Sequence, residues 1–158
     1  MNSDSNSFSI LNGGSDLLDR IAPLWNQLRE HHADLAPRWR KTLLSKTFAQ
    51  RRVELIAKAG TGLLASLAIS GEGEIGYCIS TISTEGQGEV DSIFVVPSAR
   101  NRGAGSALMA EAVQWFETNF VRIVSVDVAA GNDAAIAFYS RYGFSPRKVR
   151  LLLSTGDD

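Results

Sequence analysis

The chain has 158 residues, 44% of them hydrophobic and 21% charged, with a formal net charge of −1. That is enough for one domain with a buried core and too little for a separate substrate domain. The near-neutral balance, with short basic clusters only at Arg51-Arg52 and Arg147-Lys148, leaves no nucleic-acid footprint, and no run approaches the roughly 18 apolar residues of a membrane helix.

The polar stretch 1–7 has no apolar signal region and is predicted to be a disordered lead, followed by one domain over 8–154 and a tail at 155–158. Cys78 is the single cysteine, so no internal disulfide and no zinc site is expected, and the chain is placed in the cytoplasm. A short strand is predicted over 8–11, ending at Asn12-Gly13-Gly14. Leu17, Leu18, Ile21, Leu24, Trp25 and Leu28 then fall near helical spacing behind Ser15, predicting a helix over 15–31 with Pro23 in its first turns. A second helix is predicted over 36–50, with Trp39, Leu43, Leu44 and Phe48 on one side. His31-His32-Ala33-Asp34 forms a polar junction between the two.

From Gly62 the period changes. β-prone runs at 62–70, 74–83 and 89–96, separated by glycine turns, predict an antiparallel meander. A helix over 103–119, a valine-rich strand over 122–129, a helix over 132–142 ending at Gly143 and a last strand over 149–154 complete the order β-α-α-β-β-β-α-β-α-β. That order describes an α/β domain on a mixed sheet.

Between the third strand of the meander and the next helix lies Val95-Val96-Pro97-Ser98-Ala99-Arg100-Asn101-Arg102-Gly103-Ala104-Gly105-Ser106. A helix N-terminus carries unpaired N–H groups and a partial positive charge, and glycines at its mouth let an anion reach the backbone. The stretch reads as a cradle for a pyrophosphate. A dinucleotide-binding oxidoreductase would also place glycines here, but the third small position of its fingerprint is Leu108, and seven residues separate the strand from Gly103 where that fold turns tightly.

Arg100-Asn101-Arg102-Gly103-Ala104-Gly105 is similar to the R/Q-x-x-G-x-G/A motif of the GCN5-related N-acetyltransferase (GNAT) family. The strand ending Val-x-Pro before it, and Asn132 to Phe144 with the pattern N-x-x-A-x-x-F-Y-x-x-x-G-F, resemble the same family. The resemblance covers 62–154 by motif and the whole chain by element order. It implies a single domain with a mixed sheet splayed between its fourth and fifth strands and about four flanking helices. It also implies transfer of an acetyl group from acetyl-CoA, with no metal, directly to a small-molecule or protein amine in a ternary complex.

On that resemblance, main-chain atoms at Ile93, Phe94 and Val95 pair with the pantetheine arm. Amides of Asn101, Arg102, Gly103, Ala104, Gly105 and Ser106 hold the pyrophosphate, with Arg100 and Arg102 adding charge and Asn132 touching the cofactor. Arg102 reads equally as a solvated arginine, and Asn132 equally as an N-cap. The Val95 N–H meets the oxyanion. Tyr139 protonates the departing sulfur; by periodicity alone it would be a core aromatic, as Phe138, Tyr142 and Phe144 are. A protonated alkylamine, with a pKa of roughly 10.4, needs a base. Asp127 and Glu89 rank ahead of Asp91, and alternation puts Glu89, Asp91, Ile93 and Val95 on one strand face. Each carboxylate also reads as a structural group.

His31, His32, Asp34, Arg38 and Trp39 fall where the family's first helices cover the acceptor. Cys78 reads as a small buried hydrophobe. The alternative to an enzyme is a catalytically silent acyl-CoA-binding or protein-interaction module on the same fold. With the family's final hairpin shortened to one strand, the sheet keeps an edge that a second copy could cover, which makes a homodimer the working hypothesis.

Overall fold

A computed structural model describes residues 7–155. The lead and the tail, apart from Ser7 and Thr155, lie outside the described residues. Strand β1 (Phe8–Gly13) is followed by a 3-10 turn and helix α1 (Leu18–Leu35), then by α2 (Arg40–Ser45) and α3 (Phe48–Lys58). Strands β2 (Gly62–Ser70), β3 (Gly73–Ile82) and β4 (Gly88–Val95) form the meander, α4 (Ala104–Thr118) follows, and β5 (Val124–Val126) and α5 (Asp133–Ser140) end the ordered elements. The sheet runs β1-β2-β3-β4-β5, antiparallel except for the parallel pair β4–β5.

Helix α1 carries its apolar stripe Leu18, Ile21, Leu24, Trp25 and Leu28 onto one sheet face, against Leu67, Tyr77, Ile79 and Phe94. The other face packs Cys78, Ile82 and Val90 against Leu108, Met109, Ala112 and Phe116 of α4. The two-layer core follows from strands that alternate between two apolar faces, each needing a helix.

Where the sequence predicts one helix over 36–50, the structure breaks it twice. Pro37 bars the helical region to Ala36, which sits at φ −127 and ψ 69, so α1 stops there. Lys46 is extended, and Thr47 opens α3 with a reciprocal capping box: its side chain accepts from the Gln50 N–H, and the Gln50 side chain accepts from the Thr47 N–H. The expected junction 31–34 is therefore the last turn of α1, and among the described residues five helices stand where about four were expected. Pro23 lies six residues into α1. The strand predicted over 122–129 is only three residues long. The last strand expected over 149–154 does not form, and no strand follows β5 among the described residues.

Candidate active site

Strand β5 holds β4 through three pairs only, Gly88 with Val124, Glu89 with Ser125 and Val90 with Val126. Gly88 donates to the Ile123 carbonyl at 3.0 Å, and a Cβ there would lie 2.7 Å from Phe116 and 2.9 Å from Val121, so helix and strand close tightly at this point. Immediately beyond it β4 carries a bulge. Val90 pairs with Ser80 and Ser92 with Ile79, leaving Asp91 as an extra residue. A bulge bends a strand and increases its twist, and here it coincides with the parting of β4 from β5. Between them lies a cleft of about 610 Å³, running from Asp91–Val95 and Val126–Ala129 to the start of α4 and to α5.

The bulge also corrects the alternation expected from the sequence. Glu89 and Asp91 do share a face, the one covered by α3, where Lys58 binds both. Ile93 and Val95 lie on the opposite face, against the α4 layer, while Phe94 joins the α1 layer. One inserted residue exchanges the faces of everything after it.

The backbone at the end of β4 is open to the cleft. Val96 turns its N–H to the Ile75 carbonyl on β3. Neighbouring residues alternate in direction, so Val95 turns both its N–H and its carbonyl away from β3. The carbonyl accepts from Arg100 Nε at 3.0 Å, and the Arg100 guanidinium lies 5.7 Å from the Phe94 ring centre. The Val95 N–H faces the cleft.

At the other end, α4 begins without a side-chain cap. Its N-cap, Gly103, has φ +85, Asn101 has φ +62, and a Cβ on Gly103 would meet nothing within 4 Å. The left-handed turns aim successive N–H groups outward from a helix terminus of positive potential. Gly105 lies under the Phe138 ring, whose nearest atom is 3.5 Å from where its Cβ would be. Ile93, Phe94, Val95, Arg100, Asn101, Gly103, Ala104, Gly105, Ser106, Asn132 and Tyr139 all line the cleft. Arg102 does not; it folds back to the Ser98 carbonyl at 3.0 Å. Asn132 caps α5, its side chain accepting from the Ala135 N–H at 3.2 Å.

Tyr139 stands on α5 with its ring edge-on to Phe138 and Phe144 and is 7% exposed. Burial first, then the neighbouring Cys78, raises its phenol above the ordinary value, so it stays protonated at neutral pH. Burial likewise pushes the Cys78 thiol up to about 12, which keeps it an unreactive thiol.

The three carboxylates separate. Asp127 lies just past the end of β5, exposed and lining the cleft. Asp91 also reaches the cleft, but its side chain is fully buried. It accepts from Thr81 at 2.7 Å and from Arg51 at 3.2 Å, and it pairs with Lys58. Glu89 is not among the lining residues and accepts from Lys58 at 2.8 Å. Burial disfavours the Lys58 charge, but its bonds and attraction to Asp91 and Glu89 raise the ammonium above its usual value.

Sequence reasoning missed Leu28, Phe138 and Arg141 as cleft residues. Phe138, expected in the core, packs against the α4 layer and lines the cleft as well, with Arg141 stacked 5.1 Å over it. His31 and His32 line the cleft, and His31 also lines a second hollow of about 300 Å³ with Gln27, Glu30, Asp34, Phe94 and Arg100. Arg38 and Trp39 line neither.

The chain matches the Acetyltransferase (GNAT) family over residues 25–144. An uncharacterized N-acetyltransferase of Methanocaldococcus jannaschii is 39% identical over 71 residues, which are 45% of this chain and 31% of that relative, so the match spans less than a third of its length. A tetramutant of the BH1408 protein from Bacillus halodurans has the same fold at a TM-score of 0.73 and 16% identity, over 92% of this chain and 99% of that one. The aminoglycoside N-acetyltransferase AAC(6')-Iy in complex with CoA has it at a TM-score of 0.62 and 16% identity, over 94% and 95%.

Proposed function

Since the chain belongs to the acetyltransferase (GNAT) family, we propose that it transfers the acetyl group of acetyl-CoA directly to an amine, both substrates being bound together. One observation carries this reading. A single cleft joins the uncapped, glycine-opened start of α4 to the free backbone of β4 and to a buried phenol on α5.

In this reading the pyrophosphate rests on the N–H groups at the start of α4, where the helix terminus favours negative charge. The pantetheine arm follows Ile93 to Val95 as a strand would. That register brings the thioester carbonyl to the Val95 N–H, a donor already oriented before charge develops on the oxygen. The amine nitrogen attacks the carbonyl carbon, the C–N bond forms and the C–S bond breaks. The electron pair leaves on sulfur, and Tyr139 faces it with a proton held firmly enough to be donated only as the thiolate forms. Arg100 is committed to Val95 and Phe94, so its role here is to hold the strand end in shape.

The acceptor is an amine, small or on a protein; Glu30 and Asp34 line the hollow beside the cleft, but both are paired with Arg40 and share the hollow with Arg100, so they do not set the acceptor's charge. No described helix is long and apolar enough to cross a membrane, and we place the protein in the cytoplasm. The silent-module alternative draws on one observation: Glu89 and Asp91, two of the three candidate bases, are tied to Lys58.

Thermal stability measured with acetyl-CoA, and with NAD as the control, tests the reading. At a hundredfold excess over Kd, a ligand bound only by the native state adds about 2.7 kcal/mol, a shift of several degrees for a domain of this size. A shift with acetyl-CoA alone, followed by amine-dependent release of free thiol, is expected. Binding without turnover on any amine favours the silent module, and no shift overturns the cofactor assignment.

A further inference from the structure

We propose that His32 is the general base that deprotonates the amine acceptor. The inference rests on the acetyltransferase reading and goes beyond it by naming a group on α1 where sequence pattern pointed to strand carboxylates.

Leu28, His31 and His32 stand at spacings of three and four residues, on one face of α1, and all three line the cleft. That face looks across at β4, whose backbone marks the thioester end in this reading. His32 is half-buried there. Burial first, and the neighbouring His31 second, lower its pKa below the ordinary 6.5, so its ring is neutral and able to accept a proton at neutral pH.

The competing bases are less suited. Asp91 is fully buried and already accepts from Thr81, Arg51 and Lys58. Glu89 is held by Lys58 outside the cleft lining. Asp127 lies in the cleft but is exposed, where water competes for its hydrogen bonds.

The titratable groups sharing the cleft with His32 are His31 on its own helix, Asp91, Arg100, Asp127, Tyr139 and Arg141. Of the charged groups packed on α1, Arg40 pairs with Glu30 and Asp34, two residues either side of His32 on α1, Arg52 pairs with Asp19 on α1, and Lys46 pairs with Glu54, while Lys41 also stands on α2.

The step balances. One proton passes from the acceptor ammonium to a ring nitrogen of His32, and the freed lone pair attacks the thioester carbon. As the C–S bond breaks, a second nitrogen proton replaces the one that Tyr139 gives to sulfur. The amide and free CoA leave, and His32 returns its proton to water.

His32→Gln and Asp127→Asn, made in the full chain, test this with acetyl-CoA and three acceptors: kanamycin, spermidine and a peptide beginning with alanine. For His32→Gln, kcat/KM should fall about 10²- to 10⁴-fold with the acetyl-CoA thermal shift kept. The acidic limb of the wild-type pH profile, centred below pH 6.5, should vanish. Asp127→Asn should keep that limb. A limb that survives in His32→Gln, or is lost in Asp127→Asn, overturns the proposal.

Should none of the three amines be acetylated, NMR titration of the histidine rings decides, with signals assigned through the single variants. His32 must titrate below pH 6.5 and shift on addition of CoA; a normal titration or no response to CoA overturns the assignment. Failure of the wild type to bind CoA at all would instead overturn the acetyltransferase reading.

Discussion

Tyr139 and Asp91 show how burial assigns different work to polar groups in one cleft. The Tyr139 ring is packed between Phe138 and Phe144, so Tyr139→Phe removes one oxygen and leaves the packing intact. We expect kcat to fall about 10²-fold while the acetyl-CoA dissociation constant, read by thermal shift or calorimetry, stays within a factor of two. Asp91, fully buried beneath Arg51 and Lys58, is a structural anchor of the bulge. Asp91→Ala removes the buried carboxylate that both cations share, leaving Lys58 with Glu89 and Arg51 with Glu54, and should cost about 2 kcal/mol, measured by urea denaturation. Lys58 carries the pH signature of this cluster. Its folded pKa is raised above 10.5, so its contribution is complete below that pH and fades as the pH rises through the folded value. Above about pH 10.5 the wild-type urea midpoint should decline, and Lys58→Gln should reduce the slope. Cys78, with its thiol pushed up to about 12, should resist a thiol reagent at pH 8 until the protein is unfolded.

Among the elements, β4 and the start of α4 decide the site. The bulge at Asp91 was not legible from alternation, because a period of two assumes no inserted residue and a bulge depends on the partner strand. The break between α2 and α3 was legible: Thr47-Phe48-Ala49-Gln50 is a capping box in plain sequence, set within helical spacing that runs through it. At α4, Gly103 has a positive φ and open space beside it. Gly103→Ala strains the backbone by about 1–2 kcal/mol and sets a methyl where an anion would approach. A modest fall in Tm with a larger proportional loss of acetyl-CoA affinity is expected. Equal losses would show that the glycine serves only the turn.

For the whole molecule, the open question lies at the β5 side of the sheet. Among the described residues no strand lies beside the outer edge of β5, and the segment after α5 exposes Val149, Leu151, Leu152 and Leu153 at 84%, 89%, 65% and 84%. Exposed apolar residues and a free strand edge each favour association. We expect a homodimer in light scattering, and Leu151→Lys with Leu153→Lys should shift it towards monomer. A wild-type monomer with an intact sheet would remove the hypothesis.

The elements up to α5, the glycine-opened helix start and the Tyr139 segment were written in local pattern, since turns, caps and periodicity act within a few residues of one another. Family membership was legible in the same way. Which face each β4 side chain takes, that Lys58 ties Glu89 and Asp91, and that His32 reaches the cleft were decided only in three dimensions. Each depends on a register or a helix docking set by residues 10 or more positions away, and on burial that no local pattern contains.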